Sequence, residues 1–312
     1  MVEALPQDYF LREHSAEFYV QEKMHEKLHF LNMFPTVDNK YGEFTSYYSE
    51  ASAAKDLADG ILSEPTPITE GVDFNEIETE DIKEKQGALR GSGFRVTYTD
   101  LIERQGKLTA QMVIKCSKAV SAMAIGIDNL ISSALVKDAG CPAPDASSMT
   151  KWSDLTKIDP RDDTINIQSA YDADGFGYEV SDVYINKVEF TNLAKYMASQ
   201  EYPYDIHEIK VDEVTYHNLG SAITAGSYVA LDKTVPAAII EKFVDPKYSV
   251  VRQAEIKSLK DGKELKDVPQ SLINTREWKP EAKHDINVVD FWYEIACNVQ
   301  EPHGIIAGSF KS

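Results

Sequence analysis

The residues best suited to chemistry stand near the start of the chain, in His25-Glu26-Lys27-Leu28-His29, which has the form HExxH. On a helix the two histidines face one way and can share a zinc ion, with Glu26 as general base. The surroundings argue against that use. Only twenty-four residues precede the motif, too few for the substrate-binding sheet of a zinc protease. Glu50 is the nearest candidate third ligand, and catalytic zinc takes three protein ligands. A polar helix face rich in Glu, Lys and His produces the same pattern, and that reading is preferred. Asp172-Ala173-Asp174-Gly175 hints at a calcium loop but lacks the fifth-position ligand and the closing glutamate, so it reads as an Asp-Gly turn. Residues 87–93 are glycine-rich, yet no Gly-Lys-Ser/Thr follows to cradle a phosphate. There is no Gly-x-Ser-x-Gly elbow, and the seven histidines form no triad. The three cysteines, Cys116, Cys141 and Cys297, form no CxxC pair. The sequence points to no catalytic residue, no metal and no cofactor, which tilts it toward a structural or binding role.

The element that must organise everything else is residues 108–137. Its apolar residues Leu108, Met112, Cys116, Ala119, Met123, Ile127, Leu130 and Ala134 are spaced by fours and threes, as on a helix. A second row, Val113, Val120, Ile131 and Leu135, widens the stripe, so much of the circumference must be buried. Lys115, Lys118, Asp128 and Lys137 interrupt the pattern and argue against a membrane span. Gly140 and Pro142 stop the helix. At 1.5 Å per residue it runs roughly 45 Å, the length of a strut.

Composition bounds the partners. The chain of 312 residues is 43% hydrophobic and carries a net charge of -19. So acidic a surface repels phosphate backbones and anionic membranes, and favours solubility at high concentration. The N-terminal residues lack the basic start and apolar run of a signal peptide, so a soluble protein of a reducing cytoplasm is expected. Cys116 and Cys297 read as small buried hydrophobes.

Along the chain, residues 10–34 predict an amphipathic helix ending at Pro35, with Phe18, Met24, Leu28 and Leu31 on one side. Residues 41–50 alternate like a strand, and residues 72–85 are extended, acidic and nearly without large apolar groups. Such strands have no core of their own. They predict a long two-stranded hairpin whose partner is another molecule. Residues 86–93 read as a loop and 94–99 as a strand. Residues 100–105 form a short capped helix leading into the strut. Residues 165–173 read as a helix, 182–186 as a buried strand and 190–199 as a helix, together a compact α/β subdomain. AAIIEKF, residues 237–243, reads as helical, residues 244–275 as a charged loop, and 286–309 as one long apolar strand broken at Pro302, then a short one.

This order of segments resembles the major capsid proteins of tailed bacterial and archaeal viruses, a fold shared with encapsulin shells. The likeness is carried by PITEGVDFNEIE, by GFRVTYTDLIE leading into LTAQMVIKCSKAVSAMAIGIDNLI, and by YEVSDVYINKVEFTNLAKY. YVALDKTV and NVVDFWYEIACNVQEPHGIIAGSF complete it. It implies an α+β fold with an N-terminal arm (1–38), an extended loop built as a long β-hairpin (39–93) and a peripheral domain with a long spine helix (94–148). An axial α/β domain (149–245) and peripheral strands that return (246–312) follow. The implied function is a shell protein without catalysis. Copies assemble as hexamers and pentamers, with further contacts between them, into an icosahedral virion head built in the host cytoplasm. Double-stranded DNA is enclosed without sequence-specific binding, and no membrane takes part. Portal, scaffolding and decoration proteins are the other expected partners. The residues expected to carry assembly contacts are Phe18 on the arm and Tyr47, Lys55, Phe74, Ile77 and Glu84 on the loop. The arm begins almost at Met1, so any scaffolding segment is expected to be separate, absent or removed. In some relatives a loop lysine is joined to a neighbour's asparagine, a role that would fall here to Lys55 with Asn274 or Asn287. An encapsulin compartment is the rival within the fold, and a zinc metalloprotease through His25, Glu26 and His29 the rival outside it.

Overall fold

Residues Leu108–Asp138 form one unbroken helix, α1, in the computed structural model of the chain. The structure describes residues 28, 30, 34–49, 82–99, 108–200, 202, 208–234, 237–248, 272–278 and 286–311. On α1, Cys116, Val120, Met123, Ile127, Ile131 and Leu135 are all buried, as the apolar spacing demands. Leu130 and Ala134 are only half-buried, and the buried line passes instead to Ile131 and Leu135. An ideal helix drifts about 20° per heptad from a strict seven-residue repeat, and this moves the seam from the first row to the second. Ile114–Asp138 matches a membrane span in length and hydropathy, but half of its apolar window is buried in the protein, as in a core helix.

The described residues fall into two compact units. One draws on Met1–Phe44, Gly87–Leu130 and Ile240–Ala296, the other on Thr45–Gln86, Ile131–Ile239 and Cys297–Ser312. Strands β1 (Thr36–Asp38), β2 (Glu43–Ser49), β3 (Ile82–Ala88) and β4 (Arg90–Thr99) precede α1. After it come α2 (Pro160–Asp174), β5 (Asp182–Ile185), α3 (Lys187–Ser199), β6 (Glu208–Val211), β7 (Val214–Asn218) and β8 (Ser227–Leu231). The chain closes with β9 (Ala238–Phe243), β10 (Asn274–Trp278), β11 (Ile286–Val299) and β12 (Ile305–Ser309).

The first unit is built on a five-stranded sheet in the order β1-β9-β11-β10, with β4 also paired to β11. Its frame is the fourteen-residue β11. Asp290 of β11 faces Arg95 of β4 and Arg276 of β10 in register. Its carboxylate accepts two hydrogen bonds from Arg95, at 2.6 and 3.1 Å, and one from Arg276 at 3.4 Å, so one acid ties three strands.

Two sequence expectations are corrected here. Residues 86–93 are not a loop, because β3 runs to Ala88 and β4 starts at Arg90. The glycines serve close approach rather than turning. A Cβ at Gly93 would lie 2.4 Å from the Phe291 carbonyl oxygen, and one at Gly91 2.9 Å from that of Tyr293. AAIIEKF is not a helix but β9, whose residues alternate between buried and half-buried. Ladder pairing with β1 in the register Thr36↔Ile240 overrides the helix preference of its alanines and glutamate.

The second unit carries a sheet in the order β12-β8-β5-β7-β6. The central β5 is parallel to β7 and antiparallel to β8, and its four residues are all buried. Ile167 and Tyr171 of α2 and Phe190, Leu193 and Met197 of α3 share one apolar cluster with Val183, Ile185 and Tyr216. Helix α2 begins a turn before the expected Ile165. Asp159 caps it by accepting from Arg161 N and Asp162 N, with Pro160 in the first turn, and Gly175, at φ 78°, ends it. This places Asp172 and Asp174 in a helix end, where Asp172 accepts from Gln168 and Asp174 meets His303 Nδ1 at 2.7 Å. The Asp-Gly turn reading stands over the calcium loop.

Burial pushes the thiols of Cys116, Cys141 and Cys297 up to about 12. Against a free thiol near 8.5, this leaves about a thousandfold less thiolate at pH 8. Native protein is expected to react with a thiol-specific disulfide reagent at least a hundredfold more slowly than protein in denaturant. Rapid native modification of even one thiol would show that a cysteine is open.

Candidate assembly surfaces

The expected hairpin begins at a turn made by Asn39. Its Oδ1 accepts from Tyr41 N and Gly42 N, at 2.8 and 2.9 Å, and its Nδ2 donates to Glu43 O. Gly42 takes φ 74°, a left-handed conformation that favours glycine. Beyond the turn, β2 and β3 form, among the described residues, a sheet of two strands. Phe44 of β2 lies against Gly87 of β3, where a Cβ would fall 2.3 Å from the ring. A two-stranded ribbon buries little of its own surface: Phe44 and Tyr48 are half-buried, and Ser46 alone is buried among its described side chains. Tyr41 and Tyr47 are accordingly 90% and 61% exposed. Glu84 is also exposed, accepting only from Gln86 Nε2 at 2.7 Å, while Lys85 is anchored on Asp138.

Of the six residues expected to carry assembly contacts, Tyr47 and Glu84 therefore lie on this ribbon. Phe18, Lys55, Phe74 and Ile77 lie outside the described residues, as do His25, Glu26 and His29 of the HExxH motif. Tyr41 was missed, although the alternation of residues 41–50 that marked the strand contains it. Asn274 does not suit the part of an exposed cross-linking acceptor. It is fully buried in β10, its Oδ1 accepts from Asp245 N at 2.6 Å, and its Nδ2 donates to Phe243 O.

Among the described residues no three His, Cys, Asp or Glu side chains are grouped to hold a metal. A cavity of about 240 Å³ in the second unit is lined by Arg161, Tyr196, Met197, Tyr202, Lys210 and Asp212, among others. Arg161 and Asp212 there form an ion pair at 3.2 Å, and no nucleophile stands beside a base.

The buried polar groups are structural. Asp163 is fully buried and accepts from Thr150 N, Thr150 Oγ1 and Trp152 Nε1, at 2.7, 2.5 and 2.5 Å. Asp182 contacts His217 Nε2 at 2.6 Å and accepts from Ser181 Oγ at 2.8 Å. Burial pushes the Asp182 carboxyl up, but the hydrogen bonds from His217 and Ser181, with the positive charge nearby, outweigh it. The group sits below its ordinary 3.8. A depressed folded value contributes stability that is complete above 3.8 and lost as pH falls through the lower folded value. Asp182→Asn is expected to flatten the acid limb of the stability curve below about pH 4. An unchanged limb would place the loss elsewhere.

No family model matches the chain, and no curated protein matches it in sequence. Solved structures do match over almost the full length. A virus-like particle from Pyrococcus furiosus is 9% identical with a TM-score of 0.55, over 93% of this chain and 96% of that one. A Microbacterium phage Oxtober96 structure is 11% identical with a TM-score of 0.57, over 91% and 90%. A structure of phage G major capsid proteins with decoration proteins is 8% identical with a TM-score of 0.51, over 92% and 90%. With its long α1, its two units and its two-stranded ribbon, the chain has the fold of the tailed-phage major capsid proteins.

Proposed function

We propose that this chain is a structural shell subunit, without catalysis, that assembles with copies of itself as hexamers and pentamers into the icosahedral head of a tailed virus. The observation that carries the reading is the two-stranded β2–β3 ribbon with Tyr47 and Glu84 exposed, on a fold matched over 93% and 92% of the chain by a virus-like particle and by a phage major capsid structure. In this reading residues 1–38 are the arm, 39–93 the extended loop, 94–148 and 246–312 the peripheral domain, and 149–245 the axial domain. Phe18, Tyr47, Lys55, Phe74, Ile77 and Glu84 meet neighbouring copies. Double-stranded DNA is enclosed rather than recognised, since a surface of net charge -19 repels it. Portal, scaffolding and decoration proteins are the other partners, and the finished particle is a virion assembled in the host cytoplasm.

The match to a virus-like particle keeps one second reading in view, a compartment shell of the encapsulin type. Electron microscopy of purified protein tests the shared claim: closed shells or rings support it, and monodisperse monomers at high concentration overturn it. Particles recovered from the native source separate the two readings. Nuclease-protected DNA supports the viral head, and co-purifying protein cargo without DNA supports the compartment.

A further inference from the structure

Helices α2 and α3 each turn one face into the second unit's core and leave the other in solvent. The exposed face of α2 carries Asp162, Ile165, Ser169 and Asp172, with Arg161 beside them held by Asp212 at 3.2 Å, and that of α3 carries Lys187, Val188, Thr191 and Lys195. Ile165 and Val188, 62% and 56% exposed, are the most exposed aliphatic side chains among the described residues of this unit. One face is acidic around an isoleucine and the other basic around a valine. Neither Lys187 nor Lys195 has an ion-pair partner among the described residues. The spacing also agrees. Ile165 to Asp172 and Val188 to Lys195 are both seven residues, about 10 Å along a helix and close to two turns. Two such helices running the same way place Val188 on Ile165 and Lys195 on Asp172 at once.

We infer that the acidic face of α2 on one copy docks on the basic face of α3 on the next, a head-to-tail contact that closes rings of this chain. The inference rests on the shell reading, and it names the surfaces that reading leaves open. A contact between two different faces generates a ring when its rotation closes, whereas a two-fold contact would need one self-complementary face. The apolar centre supplies burial, and the flanking charges supply register and exclude the wrong faces.

Charge reversal in the full-length chain tests it. Variant A carries Lys187→Glu and Lys195→Glu, and variant B carries Asp162→Lys and Asp172→Lys. In each, one change favours the helix dipole and one opposes it, so folding is little altered, and circular dichroism with a thermal melt checks this. Each variant alone presents like charges across the contact, and at least a tenfold loss of sedimenting rings or shells is expected. A chain carrying all four changes restores the contact in every ring. An equal mixture of A and B restores it only where the two alternate, so six-membered rings return and five-membered rings do not. Assembly of A or B at the parent level overturns the inference, as does failure of the fourfold variant to recover while still folded. A parent that forms no particles overturns the shell reading itself, and the inference with it.

Discussion

Asp163→Ala is expected to lower the stability of the second unit by about 4 kcal/mol, near the upper end of single-residue effects. Three donors converge on that carboxylate, and each buried donor left without a partner costs about 1–3 kcal/mol. The loss also frees the loop that seats Trp152, whose ring stacks on Phe310 at 4.3 Å and lies 5.7 Å from Tyr216. Burial raises the Asp163 carboxyl above its ordinary 3.8, opposed by the hydrogen bonds from Thr150 and Trp152. For a raised carboxyl the contribution is complete below 3.8 and falls as pH rises through the folded value. The two acids therefore act on opposite sides of 3.8: Asp182 loses its contribution as pH falls below it, and Asp163 as pH rises above it. Asp163→Asn keeps one acceptor and removes this pH dependence, and is expected to cost about half as much. Shifts of the denaturant midpoint at constant slope measure both, and a change under 1 kcal/mol for the alanine variant would show that the network is dispensable.

The second large effect concerns assembly rather than folding. Tyr47→Ser with Glu84→Lys alters two exposed side chains of the ribbon, and surface changes of this kind cost within about 0.5 kcal/mol. If the ribbon works against neighbouring copies, the same pair is expected to cut closed particles at least tenfold while the melting curve hardly moves. Ultracentrifugation of the variant beside the parent measures it. Normal yields of particles would remove the ribbon from the assembly contacts.

What the sequence could disclose followed from periodicity. The 31-residue pattern that became α1 is too long to arise from a strand, and the apolar run at 286–299 is too β-branched and aromatic for a loop. Misreadings arose where tertiary pairing outweighs local preference. Ala237-Ala238-Ile239-Ile240-Glu241 favours a helix in isolation, and ladder partners distant in sequence, β1 on one side and β11 on the other, make it β9. Glycines 87, 91 and 93 signal a loop locally, while their use is to let a ring or a backbone come close. The site was legible in outline, as a strand pair without a core. Its most exposed residue, Tyr41, was missed because it sits in the turn before β2 rather than on the strand its alternation suggested.

The pairing of β4 with β11 sets a timetable for synthesis. Arg95 and its partner Asp290 are 195 residues apart. At about 5–20 residues per second, a ribosome needs roughly 10–40 seconds to supply the second strand after the first. Through that interval β4 waits with an open edge, and the first unit cannot close on a nascent chain. Completion of the polypeptide thus becomes a checkpoint. A chain stopped before residue 286 keeps an adhesive strand and is exposed to aggregation or proteolysis.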